Sequence, residues 1–274
     1  MSLVQDVLLF TVYAPLASWG DVAVGESRGT WDRPSRSAVL GIVAAALGID
    51  RGDQSRHDAL DAGYGVAVRL DAPGAPLVDY HTAQTVGAAE VLARRPASRA
   101  ELLDVPASRR QTILSRRGYR QNALATVALW ERADIPAEVD RAPALAAVAE
   151  ALTRPRFVLY AGRKCNALGL PLAPRVVSAT TLADAFAQRA AADEPVRASL
   201  APLGFTRLRP RGGRWGGEVA HDPVRTGEVA AGFESLRREV RRDAGAQRVR
   251  WHFAERVVEV GRLPGSTATE GGVT

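Results

Sequence analysis

The 274-residue sequence predicts an α+β fold with one long hairpin projecting from its sheet. Two observations carry that expectation. Apolar runs of strand length alternate with runs of helical period, in the order strand, helix, strand, excursion, strand, helix, strand. The excursion, between the second and third of the main strands, holds the whole of the chain's net charge.

Residues 7–14 are apolar almost throughout and predict a buried first strand. A loop rich in Gly, Trp and Arg covers 15–34. Ser35 or Ser37 caps a helix running to Leu47, closed by Gly48. Its apolar residues span a broad face, as in a helix packed on a sheet. A short polar helix follows over 53–61. Residues 64–70 alternate like a strand, Pro73-Gly74 turns the chain, and 77–86 extends it again. Residues 123–130 form a second strongly apolar strand, 142–152 an alanine-rich helix, and 157–160 a short last strand. With the excursion set aside the order is βαββαβ, a ferredoxin-like or RRM-like topology.

The expected organisation is therefore an RRM-like domain over 1–175, with an insertion at about 79–122 that elongates its central hairpin. A smaller C-terminal β-rich extension follows over 176–260. There, 181–189 and 233–242 read as helical, and 203–208, 215–219 and 249–260 as extended. The Gly/Thr-rich end, 261–274, reads as a disordered tail.

Charge is the most informative number. Lys and Arg total 36 against 30 Asp and Glu, for a net +6, and Lys164 is the only lysine. Residues 94–120 hold eight arginines and two acids, so bases and acids balance at 28 each in the remainder. Such a run is usually a solvated face. Here Leu102, Leu103, Ile113, Leu114 and Tyr119 interrupt it, which suits a projecting, ordered hairpin. Arginine beside an aromatic ring is what single-stranded RNA binding uses, guanidinium on phosphate and ring under base.

Other chemistry is thin. Cys165 is the only cysteine, so no intrachain disulfide or cysteine metal site forms, and the chain reads as cytoplasmic. His57, His81, His221 and His252 show no metal-ligand spacing, and no P-loop or nucleophile elbow occurs. No cofactor is expected. Asp6 precedes the first apolar run, which reads as a strand rather than a signal peptide, and no run of about 18 apolar residues predicts contact with a membrane.

Three clusters point to a polyanion. Arg33, Ser35, Arg36 and Ser37 surround a helix N-terminus, where two arginines oppose the dipole unless an anion is near. Gly162-Arg163-Lys164 follows a strand and puts two cations beside a flexible backbone. The hairpin supplies His81, Arg109, Arg110, Arg116, Arg117, Tyr119 and Gln121, and the 15–34 loop adds Trp19 and Arg28. Trp19 and Trp31 are suited either to stacking or to packing. Arg211-Gly-Gly-Arg-Trp-Gly-Gly reads as a hairpin turn. An alternative use of the same parts is a metal-free endoribonuclease, built from Tyr13, His81, Tyr119 and Lys164.

Five segments in order carry a resemblance: Tyr13-Ala-Pro-Leu-Ala-Ser-Trp-Gly, Arg33-Pro-Ser-Arg-Ser-Ala-Val-Leu-Gly-Ile-Val, Asp79-Tyr-His-Thr-Ala-Gln, Leu114-Ser-Arg-Arg-Gly-Tyr-Arg-Gln-Asn and Leu159-Tyr-Ala-Gly-Arg-Lys-Cys. Over about residues 7–175 they resemble the CasD family, RAMP-superfamily subunits of the type I-E CRISPR complex Cascade. Asn122 stands where that family usually has Asp, and Cys165-Asn166-Ala167 where it usually has Ser-Cys-Pro. The resemblance implies a non-catalytic subunit with a β-hairpin thumb that grips the crRNA 5′ handle and caps the complex. It implies CasC, CasA and other Cascade subunits as protein partners, with target DNA met only through the complex. Cleavage belongs to another subunit, and the thumb here lacks the Lys-His pair of the cleaving type I-C relative. On this reading Arg116, Arg117 and Tyr119 matter more for RNA than Arg94 and Arg95.

Overall fold

The two strongest apolar runs lie side by side at the centre of the sheet. The computed structural model describes residues 3–20, 23, 25–200, 218–247 and 252–264. Strand β1 (Gln5–Ala17) runs antiparallel to β5 (Gln111–Glu131), in register from Val7 opposite Trp130 to Ala17 opposite Arg120. Strand β3 (Tyr64–Ala72) pairs with the inner half of β5, and β4 (Ala75–Thr85) with its outer half. Pro73-Gly74 therefore bends the chain without reversing it. Gly74 has φ +66°, and a Cβ there would lie 2.3 Å from the Gln121 carbonyl oxygen, so the bend needs glycine.

The outcome is one long hairpin whose inner half belongs to the sheet and whose outer half projects as the thumb. Its tip carries α3 (Ala88–Arg94), α4 (Arg99–Leu103) and a 3₁₀ turn (Ala107–Arg109).

Helix α1 (Arg36–Leu47) starts at Ser35, whose hydroxyl accepts the Ala38 N–H at 3.2 Å, and ends at Gly48 in the left-handed region. It packs with α2 (Gln54–Gly63) and α5 (Leu145–Thr153) on one face of the sheet. Leu8, Phe10, Val12, Val127 and Leu129 meet Val39, Leu40, Val43, Val148 and Leu152 there. The opposite face is covered by α6 (Leu182–Leu200), where Leu182 and Phe186 bury Val7, Leu9, Ala128 and Trp130. Burial on both faces is why β1 and inner β5 are continuously apolar rather than alternating.

Two sequence expectations fail here. Residues 157–160 form no strand. The Arg156 and Phe157 N–H groups donate to the Ala46 and Ala45 carbonyls, tying the segment to the end of α1, and Tyr160 makes a single bridge to Ala167. The place beside β1 is taken by β6 (Arg175–Ala179). Residues 233–242 are not a helix but most of β8 (Glu234–Gln247). It pairs with β9 (His252–Arg262), which pairs with β7 (Glu218–His221) and so with β3. Charge spacing explains this. Arg237 and Arg241 both pair with Glu239, at 2.8 and 3.0 Å, across an i, i+2 spacing that shares one strand face. A helix would instead have stacked Arg237 on Arg241 and Arg238 on Arg242. The strand order is β6-β1-β5-β3-β7-β9-β8. The expectations for 203–208, 211–217 and the end of the chain from 265 lie outside the described residues.

Candidate nucleic-acid interface

The thumb base is where separate parts of the chain converge. Strand β2 (Ser27–Arg28) lies parallel to β5, placing Ser27 opposite Arg116 and Arg28 opposite Arg117. Gly162 brings the 162–164 loop onto the same spot. It has φ +86°, and a Cβ would fall 1.6 Å from the Ser18 carbonyl oxygen. The close approach that glycine permits is here to the chain itself. Arg163 donates to the Gly118 and Arg28 carbonyls at 3.1 and 3.4 Å and stacks its guanidinium 4.4 Å from the Tyr119 ring centre. Tyr119 is consequently 9% exposed, with Arg163 over its ring. Ser18 Oγ also donates to the Gly118 carbonyl. Loop, thumb and β1 are stapled at one residue.

Several candidates do meet here. Arg28, Arg116, Gln121, Gly162 and Lys164 are exposed and Arg117 half-buried, its Nε donating to Ser115 Oγ. Trp19, Ser35 and Ser37 line an adjoining groove of about 590 Å³ between α1, the 157–163 segment and β8. The tip residues do not share this place. Arg109 lies near Glu90 at 3.7 Å and Arg110 donates to the Val105 carbonyl. Gln111, beside them, is six residues from Arg117, roughly 20 Å along an extended strand. His81 is opposite Ser115 and paired with Asp79 at 3.7 Å, outward of Tyr119 along the hairpin.

Arg33 and Arg36, expected to hold phosphates, are 4% and 6% exposed and engaged with carboxylates of the C-terminal strands. Arg33 pairs with Asp32 at 3.0 Å and Glu218 at 3.5 Å. Arg36 lies 3.4 Å from Asp222, and its backbone N–H donates to Asp243 at 2.8 Å. The helix start does have its anions, but they are Asp222 and Asp243. Burial raises the Asp32 and Glu239 carboxyls. The neighbouring arginines, Arg33 for Asp32 and Arg241 with Arg237 for Glu239, outweigh that and hold both below their ordinary values.

Arg241, Arg242, Asp243 and Phe253 also line the groove, and sequence reasoning missed them. The Arg241 guanidinium sits 4.2 Å from the Trp31 ring centre. The alternating charges of 237–241 were the available signal.

Of the proposed nuclease parts, only Tyr119 and Lys164 share the thumb base, on either side of Arg163. Tyr13 donates its hydroxyl to Asn122 Oδ1 at 3.1 Å, Tyr119 lies under Arg163, and His81 is out on the thumb. Among the described residues no group of three or more His, Cys, Asp and Glu could hold a metal ion. No helix among them is long and apolar enough to cross a membrane.

The family model described as CRISPR-associated protein (Cas_Cas5) matches residues 7–259. The chain belongs to this CRISPR-associated family. Within it, the chain is a homologue of the CRISPR system Cascade subunit CasD of Escherichia coli (strain K12). The two are 30% identical over 176 residues, 61% of this chain and 70% of the relative. Two solved structures share the fold. One, titled CRISPR RNA-guided surveillance complex, gives a TM-score of 0.51 at 23% identity, over 94% of this chain and 90% of that one. The other, titled Crystal structure of Cas protein, gives 0.50 at 21% identity, over 94% and 95%.

Proposed function

We propose that this family member is a non-catalytic subunit of a type I-E Cascade, working in the cytoplasm, that grips and caps the 5′ handle of crRNA. The observation that carries the reading is the thumb base. There Arg28, which lines the groove, lies on the strand paired with exposed Arg116 and half-exposed Arg117, and exposed Lys164 follows the groove-lining Arg163, in a homologue of CasD. Phosphates would lie along these cations, with CasC and CasA as neighbours of the thumb.

The neighbouring strands β6, β1, β5 and β3 have the order of a ferredoxin-like core, which supports the RRM-like description. An RRM stacks bases on its open sheet face. Here α6 covers that face, with Arg69 buried 5.2 Å from the Phe186 ring centre, so the groove and thumb are the surfaces left for RNA. The separation of Tyr13, Tyr119 and His81 favours a binding role over cleavage.

The test uses repeat RNA incubated with the purified full chain in EDTA. Binding without a discrete product is expected. Arg116→Ala with Arg117→Ala is expected to weaken affinity about tenfold or more, as for the loss of two phosphate contacts. A discrete cleavage product, or affinity unchanged in the double variant, would contradict the proposal.

A further inference from the structure

The thumb leaves the sheet at a bend and continues as a two-stranded ribbon. Gly74, just before β4, and Asn122 in β5 both have positive φ, +66° and +55°. Pairing of β5 with β1 stops at Arg120, opposite Ala17. Outward of that level, among the described residues, β5 pairs only with β4 and, at Arg116 and Arg117, with the two residues of β2. A lone two-stranded hairpin is marginally stable, and its twist varies widely. A contact with the body must therefore set the direction in which this one projects.

Arg163 has the geometry for that contact. Its loop is closed on itself: the Ala161 N–H donates to the Asn166 carbonyl at 2.8 Å, and the Asn166 N–H to the Arg163 carbonyl at 2.8 Å. The buried Asn166 amide donates to the Ala161 carbonyl at 3.1 Å, and so does the Ser18 N–H just past β1. From this anchor the guanidinium reaches the thumb at three points. Nη1 donates to the Gly118 carbonyl, Nη2 to the Arg28 carbonyl of β2, and the group lies over the Tyr119 ring. Gly118 and Tyr119 are the first two residues beyond the end of the β1 pairing. Both terminal nitrogens are thus committed to the chain's own carbonyls. Lysine carries the same charge but neither the two-pronged donor nor the flat stacking surface. We propose that Arg163 is a positioning residue: it fixes the angle of the thumb against the body, and so the place of Arg116 and Arg117 beside the groove, instead of holding a phosphate itself.

The effect on affinity rests on the RNA-binding reading; the effect on thumb geometry does not. The test separates position from charge. In the full chain carrying Cys165→Ser, one spin label is attached at Ala107→Cys on the thumb tip and one at Ala147→Cys on α5, both exposed positions. The parent is expected to give one narrow distance distribution. The ribbon from Gly118 to Gln111 is roughly 23 Å long, so a swing of about 10° displaces its end by about 4 Å. Arg163→Ala and Arg163→Lys are both expected to shift or widen the distribution by about that much, with circular dichroism checking that each folds. Both are expected to bind repeat RNA about tenfold more weakly, as for the loss of preorganisation. Tyr119→Leu, which removes the ring and no charge, is expected to give a similar loss and to add little when combined with Arg163→Ala. Parental distances in both Arg163 variants would overturn the proposal. So would parental affinity in Arg163→Lys beside a loss in Arg163→Ala, the mark of a phosphate contact. A parent chain that binds no RNA would overturn the RNA-binding reading, and the distances alone would then decide whether Arg163 sets the thumb.

Discussion

Asn122 shows how one residue joins sheet to thumb. It sits in β5 between Gln121, opposite Ala75 of β4 and Leu16 of β1, and Ala123, opposite Ala14 of β1, and it has φ +55°. Asparagine tolerates the left-handed region because its short amide bonds locally, and here its Oδ1 accepts the Tyr13 hydroxyl. Asn122→Gly is expected to fold with little loss. Asn122→Val, β-branched at positive φ, is expected to cost about 1–3 kcal/mol in chemical denaturation. Equal stability of the two variants would contradict this account of the bend. Arg33 and Arg36 teach a different point at the same scale. Two arginines at a helix start did signal an anion. The sequence order gave no hint that Asp222 and Asp243, about 200 residues away, would be that anion.

The thumb divides into a base that meets the groove and a tip that does not. Arg109→Ala with Arg110→Ala is therefore expected to change RNA affinity less than about threefold, in contrast to the Arg116 and Arg117 pair. Equal losses from the two pairs, in one fluorescence-anisotropy series, would show that the handle runs out along the hairpin. The long hairpin was legible because Ile113, Leu114 and Tyr119 interrupt the arginines of the basic run before the chain becomes continuously apolar from Ala123. Strand β8 was not, because clustered Arg and Glu are read as a solvated helix until their i, i+2 pairing is noticed. Strand β6 was passed over for 157–160 because its five residues, Arg175-Val-Val-Ser-Ala, are too few to show a period.

The C-terminal strands are locked to the core through a buried ion network. Asp222 lies 3.2 Å from Arg132, 2.6 Å from Arg256 and 3.4 Å from Arg36, and accepts the Val66 N–H at 3.0 Å. Removing it leaves three cations without a shared carboxylate. Asp222→Ala is expected to cost about 3–5 kcal/mol by denaturant unfolding, and a loss under about 1 kcal/mol would contradict this role. The same packing sets the response to pH. Burial lowers the His221 pKa below its ordinary 6.5, so the stability it contributes is present above that pH and lost as pH falls. For Glu228, burial pushes upward, but hydrogen bonds from Trp130 and Arg225 and the nearby Arg132 hold the carboxyl below 4.5. Its contribution is lost later in the descent. The expected Tm is highest near pH 7–8, falls below about 6.5, and falls further below about 4.5. A Tm that rises between pH 7 and 5 would contradict it.

The central claim is that a cluster of cations at the thumb base neutralises RNA phosphates. Its most direct test is the affinity of the full chain for single-stranded repeat RNA as a function of salt. With four to six phosphates neutralised, log K is expected to fall against log salt with a slope of about −3 to −4. Arg116→Ala with Arg117→Ala is expected to make that slope shallower by about 1.4. A flat salt dependence, or an unchanged slope in the double variant, would contradict the account.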